Sequence, residues 1–210
     1  MWCTMNAEKQ QYSEVEVEGE LEVSPDVLIK HPLENTWTLW FFKIDPSKTW
    51  EDCQMLVASF NTIEDFWAVY NHIDPPSLLK TGRDYSLFKQ HIKPMWEDEH
   101  NCNGGRWLLN VSRQQRTADL DNYWLEVLML MIGETLEEYS KNICGAVVSV
   151  RHKGDKIGVW TEDAKADISN IVIGKKFKSV TEVNTSQAFT YQAHAAQIRK
   201  GSVVSSLHVI

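Results

Sequence analysis

Two tryptophans in predicted loops, one of them beside a carboxylate, form the pattern in this sequence best suited to chemistry. Trp50 ends the turn-rich stretch 45–50, and Trp96 lies in Lys93-Pro-Met-Trp-Glu97, with turn signals on both sides. Indoles on loops are poor core elements but good stacking platforms, in particular for a flat cation. The carboxylate of Glu97 could accept two charge-assisted hydrogen bonds from the edge of a guanine. These residues predict a binding site for a flat, positively charged ring.

The same acidic loop leaves an enzymatic interpretation open. Glu97 with Asp98 or Glu99 could form the carboxylate pair of a glycosidase, while tryptophans hold the sugar ring. Ordinary exposed acidic residues are the simpler interpretation of Asp98 and Glu99, and no second acidic cluster supports the pair. The histidines lack H-x-x-x-H spacing and the four cysteines include no C-x-x-C pair, so we expect no metal, no cofactor and no catalytic residue.

The segment 148–160 gathers positive charge in a predicted hairpin. Gly154-Asp155 suits a two-residue turn with glycine at its first central position. The pairs that such a turn predicts are Lys153 with Lys156, Arg151 with Gly158, and Ser149 with Trp160. Because side chains alternate along a strand, the cations Arg151, Lys153 and Lys156 would share one face with Trp160. Like charges opposite each other destabilise a strand pair, so a bound anion would explain them, and a solvated hairpin with splayed side chains is the alternative.

Two predicted helices carry more apolar residues than one core-facing side accommodates. The helix predicted at 119–132 has a broad apolar face and a second apolar side formed by Leu125, Met129 and Ile132, next to Glu126. A buried unpaired glutamate would be costly, so this second side favours docking of a partner. The helix predicted at 62–72 likewise spaces four apolar residues along one side: Ile63, Phe66, Trp67 and Tyr70. Core packing of all these side chains is the alternative.

The elements that must position these residues are short strands separated by helices. Strands are predicted at 36–42, 54–60, 106–111, 145–151, 156–160 and 189–194. Helices are predicted at 62–72, with a Thr62/Asp65 capping pattern, at 119–132, ending at Gly133 as a C′ residue, and at 164–176. Hairpin-like spacing makes the sheet largely antiparallel, so the predicted class is α+β.

Length and composition are those of one soluble domain with a tail. The 210 residues are 43% hydrophobic and 24% charged, and the longest apolar run is only Val127–Ile132. Residues 1–30 carry glutamate at alternate positions from Glu14 to Glu22, which predicts a disordered tail before a domain at 31–210. With no secretory signal visible, we expect a cytoplasmic, possibly also nuclear, protein. The net charge of -8 argues against binding through many phosphates, though not against a compact basic pocket.

Longer motifs resemble the eukaryotic translation initiation factor 4E family over about residues 31–200. They are HPLENTWTLWFFK at 31–43, SKTW at 47–50, EDFWAVYNHI at 64–73, DYSLFK at 84–89, PMWEDE at 94–99, GGRW at 104–107 and CGAVVSVRHKGDK at 144–156. The resemblance implies a curved, mostly antiparallel sheet of about eight strands, backed by three helices on its convex face, with a slot for the messenger RNA cap on the concave face. Tryptophan at both positions 50 and 96 fits the initiating class of the family.

The resemblance also implies a role for each residue of the slot. Trp50 and Trp96 would sandwich the base of 7-methylguanosine, Glu97 would accept hydrogen bonds from its N1 and N2, and Trp160 would lie against the methyl group. The cap-binding residues implied in all are Trp50, Met95, Trp96, Glu97, Arg151, Lys153, Lys156, Trp160 and Lys200. The three cations of the hairpin would bind the triphosphate, with Lys200 near the next nucleotides. Methylation at N7 makes guanine cationic, which agrees with an indole sandwich.

A dorsal surface for helical partners is implied as well. Its residues would be His31, Pro32, Leu33, Ile63, Trp67, Leu125, Glu126, Met129 and Gly133. The partners implied are scaffold factor 4G and the 4E-binding repressor proteins, through a Tyr-x-x-x-x-Leu-hydrophobic helix. We therefore expect a non-enzymatic protein that recruits capped messenger RNA for initiation, with a cap-binding repressor or specialised paralogue as the alternative. Ser202 is the nearest counterpart of the family's phosphorylatable serine, in a C-terminal region one residue shorter than expected.

Overall fold

Eight strands form one antiparallel sheet in this computed structural model, which describes residues 29–183, 187–195 and 206–210. Their bounds are β1 Pro32–Lys43, β2 Gln54–Thr62, β3 Arg83–Lys89, β4 Gly105–Val111, β5 Ile143–Val150, β6 Asp155–Thr161, β7 Thr190–Ala193 and β8 His208–Val209. They lie in the order β2-β1-β3-β5-β6-β4-β7-β8. The predicted class and the antiparallel sheet are confirmed. The predicted tail, Trp2, Cys3, Lys200 and Ser202 lie outside the described residues.

Three α-helices follow the prediction: α1 Ile63–Tyr70, α2 Leu120–Ile132 and α3 Asp167–Val180. Thr62 caps α1, because its Oγ1 accepts a hydrogen bond from the backbone N–H of Asp65 at 3.2 Å. The end of α2 differs from the prediction. Gly133 has φ -82°, and the left-handed residue is Glu134, with φ 46°, whose carboxylate accepts a hydrogen bond from Asn35 Nδ2 on β1. None of the helices in the described part of the chain is long and apolar enough to cross a membrane.

The main core lies between one face of the sheet and the helices. On β4, Trp107, Leu109 and Val111 belong to this core, so the alternating residues face the opposite side of the sheet. Trp107 Nε1 donates to the backbone oxygen of Asn170 in α3 at 2.7 Å. A Cβ at Gly174 would lie 2.3 Å from the Trp107 ring, so glycine allows α3 to pass directly over the indole.

The central strand β3 was absent from the sequence prediction. It lies between β1 and β5, where its Asp84 is the register partner of Phe42 and of Ser149. The polar residues at its ends and interior resemble a loop, but buried Tyr85 and Leu87 alternate with Asp84 and Ser86 as a strand requires. This alternation was the signal that could have identified it.

The predicted hairpin pairing is wrong by four residues. Ser149 pairs with Lys156 and Gly145 with Trp160, so β5 and β6 are joined by the loop 151–154 rather than by a two-residue turn. Asp155 accounts for the observed register, because it is buried and accepts two hydrogen bonds from Arg116, at 2.6 and 2.7 Å. A shift by an even number keeps every side chain on its face. Lys156 and Trp160 therefore share a face, as predicted.

Candidate functional site

Trp50 and Glu97 line one cleft at the edge of the sheet face opposite the helices. Trp50 precedes a short 3-10 turn, Glu51–Cys53, after β1, and Trp96 lies in the connection between β3 and β4. The side chains of Trp50 and Trp96 are 50% and 38% exposed. The cleft, of about 580 Å³, is lined by Trp50, Glu51, Lys93, Met95, Glu97, Asp98 and Glu99. The structure therefore places Trp50, Met95 and Glu97 around one cleft, whereas Trp96 is not among the residues that line it.

The loop of Trp50 is held in place by short-range bonds. Thr49 Oγ1 donates to Asp52 Oδ2 at 2.6 Å and accepts from the backbone N–H of Asp52 at 3.1 Å. The Trp50 ring contacts the Phe42 ring on β1, with centroids 5.7 Å apart. Cys53 below it is buried. The Trp50 indole can stay exposed because hydrogen bonds between Thr49 and Asp52 hold the loop in place.

The loop of Trp96 is held by two polar side chains. Buried Asn101 donates from Nδ2 to the backbone oxygens of Lys93 and Met95, at 2.9 and 2.8 Å. Asp98 accepts hydrogen bonds from the backbone N–H groups of Lys93 and His100, both at 3.0 Å. Both oxygens of Asp98 bind the backbone of its own loop, so this carboxylate has a structural role that explains it without a glycosidase pair of Glu97 and Asp98.

Glu97 already has a hydrogen-bond partner within the cleft. The Nε1–H of Trp96 donates to Glu97 Oε1. An indole N–H is a donor only, so this bond uses one acceptor position of the carboxylate and leaves the others available. It also couples the orientation of the Trp96 ring to the position of Glu97.

The cations of the hairpin have different surroundings. Lys153 and Lys156 are exposed, whereas Arg151 is half-buried and its Nη2 donates to Asp84 Oδ2 at 2.8 Å. The second nitrogen, Nη1, donates to Oδ1 of the same carboxylate. The hydrogen bond to Asp84 raises the pKa of the Arg151 guanidinium. Arg151 therefore keeps its charge and a fixed direction at the end of β5.

Arg106 is a cation of this face that sequence reasoning missed. It is the register partner of Trp160, and its Cδ lies 3.8 Å from the position a Cβ would take at Gly158. Its side chain therefore lies near Gly158, which is between Trp160 and Lys156 on β6. Burial lowers the pKa of the Arg106 guanidinium. The signal was available, since Arg106 alternates with the core residues Trp107 and Leu109 on a predicted strand.

Trp160 lies deeper than the predicted surface position. It is 6% exposed and belongs to a small second cluster with Phe88, Ile92 and Cys144. Its ring lies 4.2 Å from the ring of His194, centroid to centroid. Burial and the nearby Arg106 charge lower the pKa of His194 to about 3, so this imidazole is neutral. Trp160 therefore packs against an uncharged imidazole.

The second predicted surface is assembled where β1 begins. The backbone N–H of Ile63 donates to the His31 oxygen at 2.9 Å, which places His31, Pro32 and Leu33 beside the start of α1. The bond between Asn35 and Glu134 brings the same strand to the end of α2, next to Gly133. The apolar residues at this place lie at the margin of the core rather than inside it.

The apolar residues of these helices differ in exposure. Ile63 is 42% exposed and Met129 is 38% exposed, while Trp67, Leu125 and Leu33 are half-buried at the core margin. Glu126 is exposed, as docking requires. Ile132, which the sequence placed on the same side of α2, is buried instead. The prediction is therefore wrong for Ile132, because that residue lies on the core side of the last turn.

Metal chemistry has no support within the described ranges. No group of three or more histidine, cysteine, aspartate or glutamate side chains there could hold a metal ion. Cys53 and Cys144 are buried free thiols, and Cys102 is an exposed one. Burial raises the pKa of Cys144 to about 12, which makes it inert as a nucleophile.

Comparison with known proteins gives one consistent result. The model of the family described as eukaryotic initiation factor 4E matches residues 32–207. Eukaryotic translation initiation factor 4E of Xenopus laevis is 48% identical over 206 residues, which cover 98% of this chain and 97% of the relative. The Homo sapiens protein of that name is 48% identical over 199 residues, covering 94% and 92%.

Two solved structures with bound ligands are also similar. The complex of Ascaris suum eIF4E-3 with the m2,2,7G cap has a TM-score of 0.83 and 50% sequence identity, and covers 87% of this chain and 99% of that one. The complex of C. elegans eIF4E-3 with the 4E-binding protein Mextli and a cap analog has a TM-score of 0.80 and 45% identity, with coverage of 87% and 100%.

Proposed function

Because this chain belongs to the eukaryotic initiation factor 4E family, we propose that it binds the 7-methylguanosine cap of messenger RNA and recruits capped messages for initiation. The family is one of binding factors, which confirms the expectation that the protein is not an enzyme. The observation that carries the proposal is the cleft with Trp50 on its wall and Glu97 in its lining, to which the indole of Trp96 is bonded.

The cleft suits a methylated guanine because that base is cationic. Each contact of a cation with an indole face contributes about 1 kcal/mol, and more when the pair is desolvated. Glu97 adds Coulomb attraction and accepts hydrogen bonds from N1 and N2 of the base. Unmethylated guanine would keep the hydrogen bonds but lose the part that depends on charge. Selectivity for the methylated form therefore comes from Trp50, Trp96 and Glu97.

We propose that the triphosphate of the cap binds to Arg151, Lys153 and Lys156. Lys153 and Lys156 are exposed and free to follow a flexible chain of phosphates, while Arg151 offers a guanidinium held by Asp84. Arg106, between Lys156 and Trp160, adds positive potential from beneath. Phosphate contacts add affinity without reading the base, so these residues set the strength and salt dependence of binding. Lys200 is proposed to lie near the following nucleotides.

The surface at the start of β1 is proposed to bind a helix of a partner protein. Exposed Ile63 and Met129, together with half-buried Trp67, suit the apolar face of an amphipathic helix. Scaffold factor 4G and 4E-binding proteins are the proposed partners, in line with the Mextli complex of the C. elegans relative. We place the protein in the cytoplasm, with Ser202 as its proposed phosphorylation site.

Titration with cap analogues tests the cap-binding proposal. Tryptophan fluorescence is recorded while 7-methyl-GTP or GTP is added to the full chain. We expect quenching by 7-methyl-GTP and affinity at least about tenfold weaker for GTP, since the cation-dependent contacts are lost. Trp50→Ala should remove most of the quenching, with Trp2→Ala as the matched control. Absence of quenching, or equal affinity for both nucleotides, would refute the proposal.

A further inference from the structure

A buried carboxylate stands at the base of the loop that carries the basic residues. Asp155, the first residue of β6, is 1% exposed. Arg116, from the connection between β4 and α2, donates to it from Nε at 2.6 Å and from Nη2 at 2.7 Å. The backbone N–H of Arg151 donates to the same carboxylate at 2.9 Å. Three donors thus satisfy a charge that has almost no contact with water.

The same guanidinium also holds the other backbone group of Arg151. Arg116 Nη2 donates to the Arg151 carbonyl oxygen at 2.8 Å. Arg116 and Asp155 therefore bind both the N–H and the C=O of the residue that follows β5. A guanidinium presents its donors in a rigid fork, so these bonds define the position of the chain more narrowly than an ammonium group could.

These bonds hold the loop 151–154 at both of its ends. Arg151 opens the loop 151–154 and Asp155 closes it, with exposed Lys153 at its tip and Lys156 directly after it. Arg116 itself contacts neither Lys153 nor Lys156 through any hydrogen bond in the described part of the chain. Its effect on these cations is therefore exerted through the backbone.

The bonds of Arg116 also decide between two possible hairpins. The local sequence favours a two-residue turn at Gly154-Asp155, which would make Asp155 an exposed turn residue. Burial of Asp155 against Arg116 instead places it in β6 and lengthens the loop. A buried ion pair adds little net stability compared with apolar residues of similar volume, but it can select one register.

We propose that Arg116 is a positioning residue for phosphate recognition. It holds the backbone of the loop that carries Arg151 and Lys153 and precedes Lys156, without touching the ligand. This inference rests on the proposed binding of a capped nucleotide. It concerns only the part of the affinity that comes from the phosphates.

The test compares two ligands that differ in their phosphates. The affinities of 7-methyl-GTP and of the nucleoside 7-methylguanosine are measured for the wild type and for Arg116→Lys, which keeps the charge but loses the fork. In Arg116→Lys we expect the affinity for 7-methyl-GTP, divided by that for the nucleoside, to fall about tenfold, because charge-assisted bonds that order the loop are lost. The affinity for the nucleoside itself should stay unchanged. Arg113→Lys, an exposed arginine of the same connection, is the matched control and should leave the ratio unchanged.

A second variant and a measurement of amide hydrogen exchange distinguish loss of loop positioning from misfolding. Arg116→Met combined with Asp155→Asn removes both charges and so leaves no unpaired carboxylate in the interior. It should lower the ratio as Arg116→Lys does. Amide hydrogen exchange over 151–156 should accelerate in both variants, while exchange in the core strand β3 stays slow. Thermal unfolding establishes that each variant is folded before binding is measured.

Each outcome has a definite meaning. An unchanged ratio with unchanged exchange over 151–156 overturns the positioning role while leaving cap binding intact. Equal weakening of both ligands also overturns it, because Arg116 would then support only the general fold. A wild type that binds neither methylated ligand refutes the proposed function, and the positioning role falls with it.

Discussion

Lys93 Nζ donates to Glu51 Oε1 at 3.0 Å, and this ion pair joins the loop that carries Trp50 to the loop that carries Trp96. Both side chains line the cleft and are well exposed. Glu51 directly follows Trp50, so movement of either loop would stretch the pair. We therefore expect the ion pair to limit how far the two tryptophan loops separate, which would lower the cost of ordering them on binding.

A double-mutant cycle at this pair tests its contribution to binding. Glu51→Gln and Lys93→Gln should each weaken 7-methyl-GTP binding, and the double variant should lose less than the sum of the two. We expect a coupling of about 0.2–1 kcal/mol, as for other exposed ion pairs. Fluorescence titration at low salt and at about 0.5 M salt measures it, since screening should remove the coupling. Strict additivity at low salt would contradict the role.

Glu97 and Lys156 should affect different properties of binding. Glu97→Gln removes a charge beside the cationic base, so the preference for 7-methyl-GTP over GTP should fall about tenfold. Lys156→Ala should weaken both nucleotides by a similar factor and make their affinities less dependent on salt, because one cation that faces the phosphates is lost. Titrations at several salt concentrations give both quantities.

Glu138→Gln is the control for Glu97, because Glu138 is an exposed carboxylate that does not line the cleft. It should change neither the preference nor the salt dependence. The assignment fails if Lys156→Ala alters the preference as strongly as Glu97→Gln does.

Trp67 should be the main contact for a partner helix. Trp67→Ala is expected to weaken binding of a Tyr-x-x-x-x-Leu-hydrophobic peptide by at least about thirtyfold, the effect typical of a large aromatic contact at an interface. Fluorescence anisotropy of a labelled peptide measures this. Because Trp67 also contacts Phe66, with ring centroids 5.0 Å apart, retained affinity for 7-methyl-GTP is needed to show that the variant is folded. Leu78→Ala, at an exposed leucine outside this surface, is the control.

His194 should make the protein less stable in mild acid. Burial and then Arg106 lower its pKa from the ordinary 6.5 to about 3, so the folded protein keeps the imidazole neutral. Below about pH 6.5 the unfolded chain takes up a proton that the folded chain does not. The free energy of unfolding therefore decreases as the pH falls from about 6.5 towards 3, by up to roughly 1.4 kcal/mol per pH unit from this group.

Urea unfolding of the wild type and of His194→Phe at pH 7, 6 and 5 isolates this contribution, with these pH values chosen to bracket the ordinary histidine pKa. The variant should lose less stability between pH 7 and 5 than the wild type. His152→Phe, at an exposed histidine, should retain the wild-type dependence. Identical pH dependence in His194→Phe and wild type would contradict the prediction.

The sequence by itself determined the elements whose residues carry a local signal. The Thr62 cap, the apolar spacing of α2 and the strands β4 and β6 each depend on neighbours within a few residues, and each was predicted within one residue or so of its place. The exposed tryptophans at 50 and 96 were predicted for the same reason, since turn residues surround them. The grouping of Trp50, Trp96 and Glu97 at one site could be stated only as a chemical expectation.

Only the tertiary structure decided the features that depend on distant partners. Strand β3 is a strand because β1 and β5 pair with both of its edges, and its own residues signal this weakly. Trp160 became buried because Phe88 of β3 and His194, which directly follows β7, pack against its ring. The hairpin register followed from Arg116, which lies 39 residues from Asp155 in sequence and overrode the local turn preference. The bidentate pair of Asp155 with Arg116 forms in only one hairpin register, and no local pattern contains that distant partner.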